Sequence, residues 1–113
     1  MKTILVVDDN ESFSDAISRV LKEYDVLKAS RLEDAYNIFL DRNCDIVLMD
    51  ILLGQQSGID VARGLLKMRP VPIVAMSGYV SENVLELVPD VFTGYLQKPF
   101  TANELREVLG KIT

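Results

Sequence analysis

Short apolar runs alternate with amphipathic stretches five times along the 113 residues, and this order constrains the fold more than any other feature. The apolar runs are rich in branched side chains and are bounded by polar residues, as strands buried on both faces are. The stretches between them repeat apolar residues at helical spacing. In the first stretch these residues are Phe13, Ala16, Ile17, Val20 and Leu21. The alternation predicts one α/β domain, with an open, doubly wound parallel sheet and helices on both faces.

Polar residues that start helices lie between the apolar runs. Asp9 or Asn10 is placed to cap a first helix over residues 11–23. Two further helix starts are capping boxes, in which a Ser or Thr is followed three residues later by Glu. These capping boxes are Ser30 with Glu33 and Thr101 with Glu104. A short fourth helix is predicted to begin at Ser81 and to be ended by Pro89.

Charge and composition exclude several classes of protein. The 12 basic and 17 acidic residues give a net charge of −5, which argues against non-specific binding to nucleic acid or to an anionic membrane. No apolar run approaches the roughly 18 residues of a membrane helix, and no secretory signal is visible, so a cytoplasmic location is expected. The single cysteine, Cys44, cannot form an internal disulfide and is expected to be an inert, packed thiol. The chain has no histidine, so Ser-His or Cys-His nucleophile pairs and histidine metal ligands are excluded.

Four of the apolar runs end in residues with polar, reactive side chains. The first run ends at Asp8 and Asp9, and the central run ends at Asp50. The last two runs end at Ser77 and Lys98. If the strands are parallel, these residues meet at the sheet edge where ligands of such folds bind. Three carboxylates gathered there repel one another unless a cation lies among them, and a set of oxygen ligands suits Mg²⁺.

Asp50 is the candidate nucleophile of this group. A carboxylate flanked by Mg²⁺, the Lys98 ammonium and the Ser77 hydroxyl is arranged to accept a phosphoryl group and form an acyl phosphate. Each residue alone has a plainer explanation, since acids after a strand often cap the next helix and Ser-Gly pairs often form turns. Because four separate strand ends carry the required groups, the combination favours phosphoryl chemistry.

Four motifs together resemble the receiver domain of two-component response regulators, over essentially the whole chain. They are Val6-Val7-Asp8-Asp9-Asn10, Asp45-Ile46-Val47-Leu48-Met49-Asp50 with Ser57-Gly58-Ile59-Asp60, Ala75-Met76-Ser77-Gly78, and Gly94-Tyr95-Leu96-Gln97-Lys98-Pro99-Phe100. The resemblance implies a flavodoxin-like fold with strand order 2-1-3-4-5. It also implies that the phosphohistidine of a sensor histidine kinase, or of a histidine phosphotransfer protein, phosphorylates Asp50. Such a domain is a signalling module and not an enzyme in the usual sense, because it catalyses only its own phosphorylation and slow dephosphorylation.

The resemblance assigns the metal ligands. Asp9 and Asp50 would bind Mg²⁺ directly, Asp8 would do so mainly through water, and the Leu52 carbonyl would be a backbone ligand. Many receivers carry polar side chains two residues after the acceptor and two after the switch hydroxyl, whereas this chain has Leu52 and Tyr79 there. Apolar or bulky groups would position an attacking water poorly, so a slowly hydrolysed acyl phosphate is expected.

The resemblance also assigns the switch. Ser77 would donate a hydrogen bond to one phosphoryl oxygen, Lys98 would pair with another, and the Lys98–Pro99 bond would be cis. Tyr95 would turn inward as Ser77 moves toward the phosphoryl group. The face formed by the fourth predicted helix, the fifth strand and the fifth helix would then change and control the binding of a downstream protein. The protein is expected to be a monomer, or a weak dimer through that face.

Two other interpretations remain open at this point. A flavodoxin-like cofactor binder would need a Ser/Thr/Gly-rich first loop, whereas residues Asp8-Asp9-Asn10-Glu11 would repel a phosphate unless a metal intervened. An interaction module that is never phosphorylated is opposed by the complete set of site residues. The chain stops where a fifth helix should stop, so a single receiver domain over residues 1–113 with no output domain is expected. A stand-alone receiver and a receiver from a hybrid kinase or larger regulator fit equally, and the sequence names neither the kinase nor the target.

Overall fold

Five strands form one parallel sheet in the computed structural model, which describes residues 1–53, 56–78 and 90–112. The strands are β1 Thr3–Val7, β2 Asp25–Ala29, β3 Ile46–Asp50, β4 Ile73–Ser77 and β5 Gly94–Gln97. Their order across the sheet is β2-β1-β3-β4-β5, and every neighbouring pair is parallel. The predicted doubly wound α/β fold with strand order 2-1-3-4-5 is therefore confirmed.

Of the described helices, three lie between strands and one follows the last strand, in the predicted places. They are α1 Glu11–Val20, α2 Leu32–Asp41, α3 Gly58–Met68 and a C-terminal helix, Ala102–Ile112. Two two-residue strands, Leu52–Leu53 and Gln56–Ser57, pair antiparallel between β3 and α3. The helix predicted from Ser81 to Pro89 lies outside the described residues. In the part of the chain that the structure describes, no helix has the length and apolar character needed to cross a membrane.

The start of α1 matches the prediction, and its end does not. The Asn10 side chain accepts a hydrogen bond from the Phe13 N–H at 3.1 Å, so Asn10 caps the helix. The helix ends at Val20, before the end of the predicted range 11–23. Leu21 has φ −94 and ψ 62, which lies outside the helical region, and the chain turns there toward β2.

Of the two predicted capping boxes, one forms. The Thr101 N–H donates to the Glu104 carboxylate and the Glu104 N–H donates to the Thr101 hydroxyl, both at 3.1 Å. The box predicted at Ser30 is absent, because the N-cap residue of α2 is Arg31, with extended φ −138 and ψ 157 and no side-chain cap. The helix thus begins at Leu32, and Ser30 lies one residue before the cap position.

Each face of the sheet carries an apolar layer, because alternate strand residues point to opposite faces. One layer packs against α2 and α3, and its strand residues include Leu5, Val7, Val47, Met49, Ile73 and Ala75. The other packs against α1 and the C-terminal helix, and its strand residues include Ile4, Val6, Ile46, Leu48, Val74 and Met76. Cys44 is buried in the first layer, as predicted for a packed thiol, and burial raises the pKa of this thiol.

The strand register places the polar strand ends at one edge of the sheet. Val7 of β1 pairs with Met49 of β3, and Asp50 pairs with Met76 of β4. The residues that follow these pairs therefore lie side by side beyond the carboxyl ends of the strands.

Candidate functional site

Three carboxylates lie together at the carboxyl edge of the sheet. Asp8 and Asp9 follow β1 and Asp50 ends β3, and one carboxylate oxygen from each lies within 4.8 Å of the other two. Asp8 and Asp50 are buried, whereas Asp9 is exposed. Burial removes the water that would otherwise screen the negative charges, so the group attracts cations strongly.

Both carboxylate oxygens of Asp8 have hydrogen-bond donors. Its Oδ1 accepts the backbone N–H of Asn10 at 2.9 Å, and its Oδ2 accepts from Lys98 Nζ at 2.6 Å. The Asn10 contact is local and follows from the turn between β1 and α1. The lysine contact crosses the sheet, since β5 is separated from β1 by β3 and β4.

Among the described residues, Lys98 has the only ammonium group that pairs with the buried acids Asp8 and Asp50. Its backbone N–H donates to the Ser77 carbonyl at 2.7 Å, which extends the pairing of β5 with β4 to the site. Its Nζ lies 3.6 Å from Asp50 Oδ2 in addition to the Asp8 contact. These two distances place the ammonium between two buried carboxylates. The Lys98–Pro99 peptide bond that follows is cis.

Asp50 carries negative charge that its partners compensate incompletely. Its Oδ1 accepts the backbone N–H of Leu52 at 3.1 Å. Burial raises the pKa of the Asp50 carboxyl above its ordinary range, and the charges of Asp8 and Asp9 raise it further. The Leu52 hydrogen bond and the Lys98 charge lower the Asp50 pKa, and their effect is smaller in sum. An electrophile or a metal cation at this carboxylate would relieve the imbalance.

Gly58 packs against the backbone of the acceptor. A Cβ atom added at Gly58 would lie 2.0 Å from the Asp50 carbonyl oxygen and 2.7 Å from the Ile51 Cα. The Gly58 N–H also donates to the Ile51 carbonyl at 2.9 Å. Sequence reasoning did not identify Gly58 as a site residue. Its position in the Ser57-Gly58 motif, directly before a helix, was the signal that could have found it.

The remaining predicted site residues lie on the strands around the acids. Ser77 is buried at the end of β4, one residue beyond the Asp50–Met76 pair, so it lies at the same edge. Tyr95 of β5 is half-buried and packs against the apolar layer beneath α2 and α3. The Leu52 side chain is 54% exposed beside the acceptor. Tyr79 lies outside the described residues.

The donor set suits a hard divalent cation. It consists of three carboxylates, with oxygen donors alone, and burial together with the charges of Asp8 and Asp9 raises the pKa of Asp50. Mg²⁺ is held in proteins by one or two carboxylates together with waters, which this geometry allows. The residues present therefore fit Mg²⁺.

A cavity of about 210 Å³ opens beside Asp8, between α1 and the end of β2. Its lining includes Glu11 and Asp15, and Asp15 is paired with Lys28 at 2.7 Å. The cavity is smaller than the roughly 300–1,000 Å³ of pockets for drug-sized ligands, and its acidic lining would repel a cofactor phosphate. The structure therefore argues against flavin binding at this position.

Comparisons with known proteins agree on one family. The family model described as response regulator receiver domain matches residues 4–110. The chain is similar to the autoinducer 1 sensor kinase/phosphatase LuxN of Vibrio campbellii, with 35% identity over 111 residues, which cover 96% of this chain and 13% of LuxN. The chain thus spans only a small part of the length of that relative.

Two solved structures extend the comparison. The Vibrio cholerae chemotaxis protein CheY4 matches with a TM-score of 0.93 and 23% identity, covering 100% of this chain and 99% of CheY4, and this likeness concerns the fold alone. A response regulator protein from Burkholderia pseudomallei, described as containing a phosphorylated aspartic acid, a calcium ion and citrate, matches with a TM-score of 0.88 and 28% identity. The match covers 96% of this chain and 66% of that one.

Proposed function

Because the chain belongs to the response regulator receiver domain family, we propose that it accepts a phosphoryl group on Asp50 from a histidine kinase phosphohistidine or a histidine phosphotransfer protein. The observation that carries the proposal is the Asp50 carboxylate, buried at a strand end with Lys98 Nζ 3.6 Å away and two further acids beside it. The phosphorylated aspartic acid and the calcium ion described for the Burkholderia pseudomallei relative support the same chemistry here.

The transfer step needs an ionised, oriented Asp50. A carboxylate oxygen of Asp50 attacks phosphorus and forms the new O–P bond, while the P–N bond breaks and its electron pair goes to the imidazole nitrogen of the donor. The Leu52 N–H, 3.1 Å from Oδ1, fixes the orientation of the carboxylate. The raised pKa of Asp50 favours the attack, because a more basic carboxylate is a better nucleophile.

Mg²⁺ is the proposed cofactor. We assign direct contacts to Asp9, Asp50 and the Leu52 carbonyl, and a contact through water to Asp8. When bound, the ion supplies positive charge that offsets the carboxylates and the phosphoryl oxygens. The oxygen-only donor set and the raised pKa of Asp50 support this assignment.

Lys98 and Ser77 are assigned to the phosphoryl oxygens. The Lys98 ammonium, already 3.6 Å from Asp50, would pair with one oxygen, and the buried Ser77 hydroxyl would donate to another. Ser77 would move toward the phosphoryl group and Tyr95 would turn inward. The two residues lie on the neighbouring strands β4 and β5, which supports a coupled movement.

The proposed output is a change in protein binding. The switching face would comprise the helix predicted at residues 81–89, which lies outside the described residues, together with β5 and the C-terminal helix. It would control an unidentified downstream protein. We propose one receiver domain over residues 1–113 that acts in the cytoplasm, as a monomer or as a weak dimer through this face. It would catalyse only its own phosphorylation and dephosphorylation, and would contact neither nucleic acid nor membrane directly, as its net charge of −5 supports.

Mass spectrometry after incubation with acetyl phosphate tests the proposal. With Mg²⁺ the wild-type protein should gain one phosphoryl group, and with chelator it should gain none. Asp50→Asn should gain none under either condition. Asp45→Asn is the matched control, because Asp45 is an exposed acid directly before the same strand, and this variant should leave the adduct unchanged. An absent adduct in the wild-type protein with Mg²⁺ would favour an interaction module that works without phosphorylation.

A further inference from the structure

The Lys98 ammonium has an aromatic neighbour that the proposed chemistry does not assign. Its Nζ lies 4.3 Å from the centroid of the Phe13 ring, in addition to its contacts with Asp8 at 2.6 Å and Asp50 at 3.6 Å. A ring face attracts an ammonium through its quadrupole, and the attraction grows when the charge is partly removed from water. The Lys98 side chain is 23% exposed, so this condition is met.

Phe13 is itself held in place from two sides. Its backbone N–H donates to the Asn10 cap at 3.1 Å in the first turn of α1. Its ring meets the Phe100 ring edge to face, with centroids 5.6 Å apart and an interplanar angle of 86°. Phe100 lies two residues after Lys98, so the segment that carries the lysine contacts the Phe13 ring a second time.

The ring contact differs in kind from the ion pair with Asp8. A hydrogen bond to Asp8 has a fixed direction, and by itself it would draw the flexible lysine toward the acid that is not phosphorylated. The attraction of a ring face is directed along the ring normal but changes only gradually as the ammonium moves across the face, and the ring accepts no proton. The ammonium can therefore shift between Asp8 and the Asp50 side while the ring still stabilises it.

We propose that Phe13 is a positioning residue that holds the Lys98 ammonium within reach of Asp50 for phosphoryl transfer. The inference rests on the proposed function for the role of Lys98, and on the structure for the contact. Phe13 is half-buried at the edge of the apolar layer and not at its centre, so its substitution should leave the fold intact.

Three variants separate the effect of the Phe13 ring face on Lys98 from the effect of apolar packing. Phe13→Leu keeps an apolar side chain and removes the ring face, whereas Phe13→Trp keeps a face. Phe100→Leu removes the edge-to-face contact and leaves the Phe13 ring over the lysine. The first measurement is the rate of phosphorylation by acetyl phosphate, as a function of donor concentration at saturating Mg²⁺, with the melting temperature alongside.

Phe13→Leu should lower the maximal rate about five-fold, a loss within the range of a desolvated cation–π contact, with little change in the donor concentration for half-maximal rate. Phe13→Trp should restore most of the rate, and Phe100→Leu should lose less than Phe13→Leu. A wild-type rate in Phe13→Leu would overturn the proposal. Equal losses in Phe13→Leu and Phe13→Trp, or in Phe13→Leu and Phe100→Leu, would also overturn it, because they would indicate packing alone.

A second measurement needs no phosphorylation. Protons above a ring face shift upfield in the NMR spectrum, so the Lys98 side-chain protons should be upfield in the wild-type protein and in Phe13→Trp. They should return to ordinary values in Phe13→Leu. Unshifted protons in the wild-type protein would overturn the contact itself. If the shift is present but no form of the protein is phosphorylated, the proposed function fails and the positioning role fails with it, whereas the contact stands.

Discussion

At the scale of single residues, the charge of Asp50 opposes folding. Its pKa in the fold is raised above the ordinary value of 3.8, chiefly by burial and then by the neighbouring acids. A raised acid pKa costs stability above the folded-state pKa, and this cost vanishes as the pH falls to the unfolded-state value. Asp50→Asn should therefore raise the melting temperature by a few degrees at pH 7 in chelator, and the gain should shrink toward pH 4.

Thermal unfolding followed by circular dichroism across this pH range measures the effect. Mg²⁺ should raise the melting temperature of the wild-type protein more than that of Asp50→Asn, because a ligand stabilises the form that binds it. Asp45→Asn is the control, because it changes an exposed acid directly before β3 and keeps a side-chain oxygen that can accept from the Thr3 N–H. A lower melting temperature of Asp50→Asn at pH 7 would contradict the prediction.

Leu52 lies where it would influence the access of water to the proposed acyl phosphate. Its side chain is 54% exposed beside Asp50, and an apolar group cannot orient an attacking water. Once formed, the phosphorylated protein should persist for many minutes with Mg²⁺, and Leu52→Asn should shorten this lifetime several-fold. Leu40→Asn, at a position that is 68% exposed on α2, controls for the loss of an exposed leucine. Mass spectrometry over time measures the lifetime. Loss of the phosphoryl group from the wild-type protein within seconds would refute the expectation.

At the scale of elements, the junction of β3 and α3 depends on Gly58. A methyl group there would meet the Asp50 carbonyl oxygen at 2.0 Å, so Gly58→Ala should force the two elements apart and destabilise the protein by about 1–3 kcal/mol. Gly110 is the matched control, because a Cβ at Gly110 has no neighbour within 4 Å. Gly110→Ala should stabilise the C-terminal helix by about 0.5–1 kcal/mol. Urea unfolding measures the change in the free energy of unfolding for both variants. Equal changes in the two variants would contradict the close packing of Gly58 on Asp50.

Most elements could be predicted from the sequence because their information is local. Apolar spacing identified the strands, and side-chain caps identified the starts of α1 and the C-terminal helix. The start of α2 was predicted one residue early, since the extended backbone of Arg31 follows from how α2 meets the sheet and not from the motif.

The site, like the elements, has some features that the sequence pattern predicted and others that it missed. Strand ends identified the acids and Lys98, because the carboxyl ends of parallel strands all lie at one edge of the sheet. The contact of Phe13 with Lys98 and the packing of Gly58 on Asp50 were missed. Both join residues that are distant along the chain or depend on a close approach of backbone, and neither leaves a periodic pattern in the sequence.

At the scale of the whole molecule, Cys44 can report on cooperative opening. The thiol is 2% exposed in the layer beneath α2 and α3, and burial raises its pKa. A thiol reagent should therefore react with native protein only when the structure opens, and much more slowly than with protein unfolded in denaturant. Absorbance of a coloured reagent follows the reaction, and Mg²⁺ should slow it further. Equal rates for native and unfolded protein would contradict the prediction.

The contact between Asp8 and Lys98 joins residues 90 positions apart. During synthesis the ribosome releases all three acids of the site long before it releases Lys98. A partly made chain therefore carries the acids without the ammonium, because β5, which directly precedes Lys98, is the last strand of the sheet to be synthesised. Under the proposed function, a nascent chain therefore gains the complete acceptor site only after Lys98 has been made, well after the acids themselves.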